Sequence, residues 1–198
     1  GTYGRVKRFG FLIEDTDEMA ERLGGLEFEG MNPSPSELVA ADENLVAVFQ
    51  YMIGNDDWSL QMARNVKLVK PEDEGPMIPV PYDFDFSGFV NTSYAQPNTN
   101  VGVTSVRQRA FLGIPRDREL FTRTVGVFLN KKEALFQVVR DFKPLNGSAR
   151  RDLLNYLQSF YDNLDVLREE NQAQLEALNE TEGGDDTSPE KSTPIGQR

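Results

Sequence analysis

The spacing of apolar residues changes several times along this chain, and each change predicts an element. Val6, Phe9, Phe11, Leu12 and Ile13 make a first apolar run over 6–14 that reads as a strand. Asp15 then caps a short helix over 16–23, which Gly24-Gly25 terminates, and 26–28 allows a brief extended piece before a loop rich in Gly and Pro. With Asp42 as a cap, Leu45, Phe49, Met52 and Ile53 recur at helical spacing until Gly54 stops them. Residues 66–69 and 77–82 are both strand-like around an acidic turn, so they predict a hairpin; the prolines of the second strand make it an edge or irregular one. Residues 91–105 are polar and predict a long loop, a type often functional in compact domains.

From Asp117 the pattern is helical. Leu120, Phe121, Val125, Phe128 and Leu129 fit one helix, and Ala134, Leu135, Val138, Val139 and Phe142 fit a second that ends before Pro144. Ser148 caps a third, in which Leu153, Leu157, Phe160, Leu164 and Leu167 alternate spacings of four and three, continuing to about Leu178. That stripe reads as core before it reads as a partner interface. Beyond Asn179 no apolar anchor remains, and 180–198 reads as a disordered acidic tail. The order of elements is that of an α+β protein.

Composition narrows the chemistry. A chain of 198 residues holds one substantial domain, and 38% hydrophobic residues with thirteen Phe suffice for a core. A net charge of −11 argues against a nucleic-acid binder and against an anionic membrane surface, both of which need a basic surface. No apolar run approaches the roughly 18 residues of a membrane-spanning helix. The sequence has no Cys and no His, so thiolate chemistry, Ser-His catalysis and imidazole metal sites are all excluded. What remains is carboxylates, amides, hydroxyls and hard ions that take oxygen ligands. The chain opens on Gly1 and runs directly into an apolar strand, from which we expect further sequence upstream.

Two turns gather the polar candidates. Asn55, Asp56 and Asp57 follow the helix that ends at Gly54, Asn65 comes eight residues after Asp57, and Asp83 and Asp85 follow the hairpin. Phosphoryl transfer asks for a carboxylate to orient the attacking hydroxyl, and for an Asn and a second carboxylate to hold the metal against the phosphates. Alternative readings stand beside this one. Asp56 and Asp57 also suit a solvated turn, Asn55 a left-handed turn, and Asp83-x-Asp85 a glycosyltransferase metal site or a calcium loop. Trp58 reads as a packing residue. Arg107 and Arg109 suit either a phosphate or the solvated surface.

These residues also carry a resemblance. Ile53-Gly54-Asn55-Asp56-Asp57-Trp58, Arg64-Asn65 and Val80-Pro81-Tyr82-Asp83-Phe84-Asp85-Phe86 resemble the CotH (spore-coat protein H) family of atypical bacterial kinases. The Gly-Asn-x-Asp turn and the Tyr-Asp step are also similar to HipA-type kinases, and Phe9-Gly10-Phe11-Leu12-Ile13-Glu14-Asp15 resembles the family's strand leading into the hinge between lobes. The resemblance covers residues 3–90.

It implies a kinase-like C-terminal lobe over 31–179, with catalytic and metal motifs at 54–88 and a helical bundle at 105–178, preceded at 1–30 by the last strand or strands of a truncated N-lobe. It further implies Asp57 as the catalytic carboxylate, Asn65 and Asp83 as metal ligands, and Asp85 as the rival for that role. Glu14, where the hinge meets the adenine, and Asn55 stand on the cofactor side. The implied cofactors are ATP and magnesium or manganese, the implied activity is transfer of the γ-phosphate to a hydroxyl of a protein substrate, and the implied compartment is extracytoplasmic, at the cell envelope.

Two departures qualify the expectation. The step from Asp57 to Asn65 is longer than in ordinary kinase catalytic loops, and no Gly-rich phosphate cover or strand Lys is present, so this chain alone is expected to bind ATP weakly or not at all. The alternative function is a non-catalytic binding or surface-structural module on a kinase-like scaffold. A metal-dependent glycosyltransferase is the third class, disfavoured because the strand-helix alternation of a nucleotide-sugar fold is missing.

Overall fold

In the computed structural model, which describes Gly10 and residues 12–183, Asp15 opens the first helix, α1 (Thr16–Arg22), by accepting the amide of Asp17. The chain turns at Gly24, whose φ of 76° suits glycine, and enters β1 (Gly25–Phe28). A 3₁₀ turn at Pro35–Glu37 precedes α2 (Ala40–Ile53). Then come β2 (Val66–Pro71) and β3 (Ile78–Pro81), a second 3₁₀ turn at Thr99–Val101, and three helices: α3 (Arg118–Asp141), α4 (Gly147–Asp162) and α5 (Leu164–Gly183). Among the described residues the architecture is α+β, five helices with one antiparallel sheet in the order β1-β2-β3. No helix among them is long and apolar enough to cross a membrane.

The chain forms two compact units. One holds the chain up to Asp42 together with Trp58–Asp83; the other holds Glu43–Asp57 together with the chain from Phe84 onward. In the sheet unit, Leu26 pairs with Lys70 and Leu68 with Pro79, which places β2 in the centre. Pro79 and Pro81 lie in β3 at the edge, where a missing amide is tolerated. Met19 and Ala20 of α1 bury against Val69, with Leu23, Ile78 and Val80 packed around them.

The helical unit centres on Phe160, which is fully buried, with the Tyr51 ring 6.4 Å and the Phe128 ring 5.9 Å from it, centroid to centroid. Leu157, Leu164 and Leu167 are buried too, so the stripe is core from Leu157 to Leu167, while Leu153 is half-buried and Leu178 exposed.

Several expectations change. The strand expected over 6–14 lies largely outside the described residues; 12–14 are irregular, and Leu12 and Ile13 are exposed. The expected tail at 180–198 also lies outside them from residue 184 on, while 180–183 finish α5. Asp42 is inside α2 rather than its cap, and Leu45, assigned to its apolar face, is 39% exposed. The two helices expected between 117 and 142 are one, because the polar stretch 130–133 contains no Gly or Pro to break it. Asn146, rather than Ser148, caps α4 by accepting the Ala149 amide.

The expected third helix is two. The Asn163 side chain donates to the Ser159 carbonyl at 2.7 Å and competes with the helical ladder there, so α4 stops and α5 starts.

Asp117 caps α3 by accepting the amides of Glu119 and Leu120. The Leu120 amide foremost holds its carboxyl below the usual range. Asp117→Ala is expected to lower the melting temperature at neutral pH. Because the folded pKa is depressed, the stabilisation is present above the unfolded pKa and is lost as pH falls through the folded value. The gap between wild type and variant in thermal melts therefore closes on acidification.

Candidate functional site

The six residues singled out from the sequence divide between the units. Glu14, Asn65 and Asp83 belong to the sheet unit, and Asn55, Asp57 and Asp85 to the helical unit.

In the sheet unit, the segment after Trp58 closes on itself: Ser59 and Arg64 exchange both backbone hydrogen bonds, at 2.9 and 3.0 Å. This tight loop accounts for the long step between Asp57 and Asn65. Trp58 is buried, as a packing residue should be. Asn65 then leads into β2 with φ 53°, and Asp83 leaves β3 with φ 55°. Left-handed backbone is uncommon outside glycine, and Asn and Asp are the residues that tolerate it best. The Tyr82 amide donates to the Asn65 carbonyl at 3.1 Å, so Asn65 and Asp83 are brought to the same open end of the hairpin. Glu14 sits in irregular chain before α1, and both of its carboxylate oxygens accept from Arg22, at 2.9 and 2.7 Å. That hydrogen bonding lowers the Glu14 pKa.

In the helical unit, α2 ends at Gly54 with φ 63°. Asn55 is buried; its amide side chain donates to Gln50 Oε1 at 3.0 Å while its Oδ1 accepts the Asp57 amide at 3.1 Å. Its turn-shaping role is thus visible, and Asp57 is tied to the turn through its own amide. Asp56 is buried and holds the polar loop: its carboxylate accepts the Asn98 amide, and its carbonyl accepts Asn98 Nδ2. Asp85 accepts the Tyr94 hydroxyl at 2.9 Å, and its carbonyl accepts Thr92 Oγ1.

Tyr156, on α4, organises this region and was not legible in the sequence. Its hydroxyl is buried without a partner, lodged against two glycines. A Cβ at Gly54 would lie 1.9 Å from that oxygen, and one at Gly88 would lie 2.5 Å from it. Burial raises the Tyr156 pKa, with Arg109 and Arg107 opposing. Both guanidinium groups approach its ring, at 4.2 Å for Arg107 and 4.0 Å for Arg109.

Arg109 also donates to the carbonyls of Met52 and Tyr156 and to Ser159 Oγ, and Arg107 pairs with Asp152. Arg109 is therefore a structural clamp, and Arg107 is held in an ion pair at the surface. The only advance signal for Tyr156 was a polar-tipped aromatic within an apolar stripe.

Gly54→Ala is expected to destabilise the protein by about 3 kcal/mol, since it adds left-handed strain to the collision with Tyr156. Tyr156→Phe alone is near neutral, because the lost hydroxyl has no partner. The double variant recovers the collision part of the loss but keeps the strain. Urea unfolding reads all three; a double variant no more stable than Gly54→Ala would contradict this packing.

No family model, curated protein or solved structure matches the chain. Among the described residues no group of three or more acidic side chains is placed to hold a metal ion.

Proposed function

We propose that this chain is the metal- and substrate-binding half of a CotH-like protein phosphotransferase, with a kinase-like C-terminal lobe. One observation supports the reading: Asn65 and Asp83 flank the open end of the β2–β3 hairpin, where the Tyr82 amide donates to the Asn65 carbonyl, and each has left-handed backbone. Unusual backbone of this kind is held in place by its surroundings and clusters at functional sites. An amide oxygen and a carboxylate are hard donors that suit magnesium or manganese, with phosphate and water oxygens completing the shell. When bound, the metal would neutralise charge on the phosphates of ATP.

The chain's own residues have distinct tasks. Asp83 and Asn65 would hold the ion. Asp57, in the helical unit, is the residue that the resemblance assigns to accept the proton of the attacking hydroxyl on the protein substrate. Asp85 is the alternative metal ligand; in competition with that, its carboxylate receives the Tyr94 hydroxyl. Glu14 is the residue assigned to the adenine side, in an extracytoplasmic or envelope setting taken from the resemblance alone.

The absence of an acidic trio among the described residues favours a second reading, a non-catalytic binding module on the same scaffold. One experiment separates the two: phosphotransfer from ATP by the full-length protein, measured for wild type, Asp57→Ala and Asp83→Asn. Loss in both variants supports the phosphotransferase. Full activity in both refutes the assigned site, and an inactive wild type that magnesium and ATP do not stabilise against melting leaves the binding module.

A further inference from the structure

The long polar loop that begins at Asn91 has no part in the phosphotransfer reading, yet it is fastened to the acidic residues. Its first twelve residues run within the helical unit between two left-handed positions, Asn91 with φ 52° and Gly102 with φ 81°. Backbone of this kind turns the chain sharply, and it occurs here at both ends of the segment. Over 91–102 Ala95 is the only buried residue, so little apolar contact holds the segment down.

Hydrogen bonds hold it instead, and they fall on Asp85 and Asp56. Thr92 Oγ1 donates to the Asp85 carbonyl at 3.0 Å, and the Tyr94 hydroxyl donates to Asp85 Oδ2 at 2.9 Å. The Tyr94 ring leans on Phe86, 5.8 Å away between centroids. Further along, the Asn98 amide donates to Asp56 Oδ2 at 3.0 Å, and Asn98 Nδ2 donates to the Asp56 carbonyl at 3.1 Å. Tyr94 is 57% exposed, so its bond to Asp85 lies within reach of solvent and of any solute that competes for the carboxylate.

We propose that residues 91–102 form a strap whose closure withholds Asp85 from a divalent cation. The inference rests on the phosphotransferase reading, in which Asp85 is the alternative metal ligand. A carboxylate oxygen that receives a hydroxyl is less available to a hard cation, because the two compete for the same lone pairs. The fastenings act together, since the chain freed at Asp85 runs on to Asn98 within a few residues. Strap closure and cation binding therefore oppose each other, and each weakens the other by the same factor.

The test titrates the full-length protein with manganese and reads its affinity from paramagnetic broadening of the Asp85 and Phe86 amides. Hydrogen exchange of the Ala95 and Asn98 amides, both hydrogen-bonded in the strap, reads closure directly. Tyr94→Phe removes the hydroxyl from Asp85 and should tighten manganese binding about tenfold. Asn98→Ala removes a fastening to Asp56 rather than to Asp85, and should still tighten it about fivefold. In the wild type, saturating manganese should speed exchange of both amides about tenfold.

Weaker manganese binding by Tyr94→Phe overturns the proposal, since the hydroxyl then supports the ligand rather than covering it. A gain confined to Tyr94→Phe overturns it too, because the loop is then not involved. So does exchange of the two amides that manganese leaves unchanged. Equal affinity in wild type and both variants removes the strap and leaves the metal site standing. Manganese bound by none of the three refutes the metal site, and the strap with it.

Discussion

Asp83→Asn in the full-length protein is expected to lower phosphotransfer from ATP by about 10²–10³, and Asp57→Ala by about 10²–10⁴. The two losses differ in kind. Asp83→Asn removes a negative charge from the proposed metal site but keeps a side chain that tolerates its φ of 55°. Its loss should therefore shrink as magnesium is raised, with the melting temperature unchanged. Asp83→Ala is the less clean variant, since alanine at that φ adds backbone strain of its own. Asp57→Ala removes the proposed proton acceptor, and no concentration of metal restores it. Initial rates across a magnesium titration separate the two, and a wild-type rate in both variants removes Asp57 and Asp83 from the site.

Arg116→Met is expected to cost about 3–5 kcal/mol of stability, the largest effect of any single change outside the proposed site. Glu43 is fully buried in α2, and Arg116 reaches one carboxylate oxygen through Nε and Nη2, at 3.1 and 2.9 Å. The Ile114 amide holds the other oxygen, at 2.9 Å. Asn171 of α5 locks the Arg116 backbone from both sides, accepting its amide and donating to its carbonyl. Removing the guanidinium strands a buried carboxylate.

The pH dependence follows from the same pair. Burial, the largest influence, raises the Glu43 pKa, with the Ile114 amide and Arg116 acting against it. A raised folded pKa means that the folded state binds the proton more tightly. Stability therefore falls as pH rises from the unfolded pKa through the folded one. Without Arg116 the folded pKa rises further, so the window of falling stability extends to higher pH. The variant should recover on acidification as Glu43 takes up its proton. Urea unfolding of wild type and variant over a range of pH checks this, and a parallel, pH-independent offset would contradict it.

Local rules predicted most elements because the causes are local. Asp15 before α1, the turn between β2 and β3, the prolines of the edge strand and Asp117 before α3 all act on neighbours a few residues away. The failures have causes of another kind. A polar stretch at 130–133 looked like a break, yet exposed Lys and Glu continue a helix as readily as they leave one. Asn163 looked like any polar position of a long helix until its side chain took the Ser159 carbonyl.

The candidate site divides along the same line. By itself the sequence determined which side chains are on hand: without Cys or His, carboxylates, amides, hydroxyls, Lys and Arg remain, and two turns gather the acidic ones. Only the tertiary structure decided how those residues are used. Asp56 ties down Asn98, and Asn65 and Asp83 flank one hairpin end. It alone placed Tyr156 against Gly54 and Gly88, and Arg116 against a buried Glu43. The physical reason is distance along the chain. Composition and short-range pattern specify what a residue is able to do, whereas pairings such as Asp56 with Asn98 and Glu43 with Arg116 join positions tens of residues apart, where packing selects the partner.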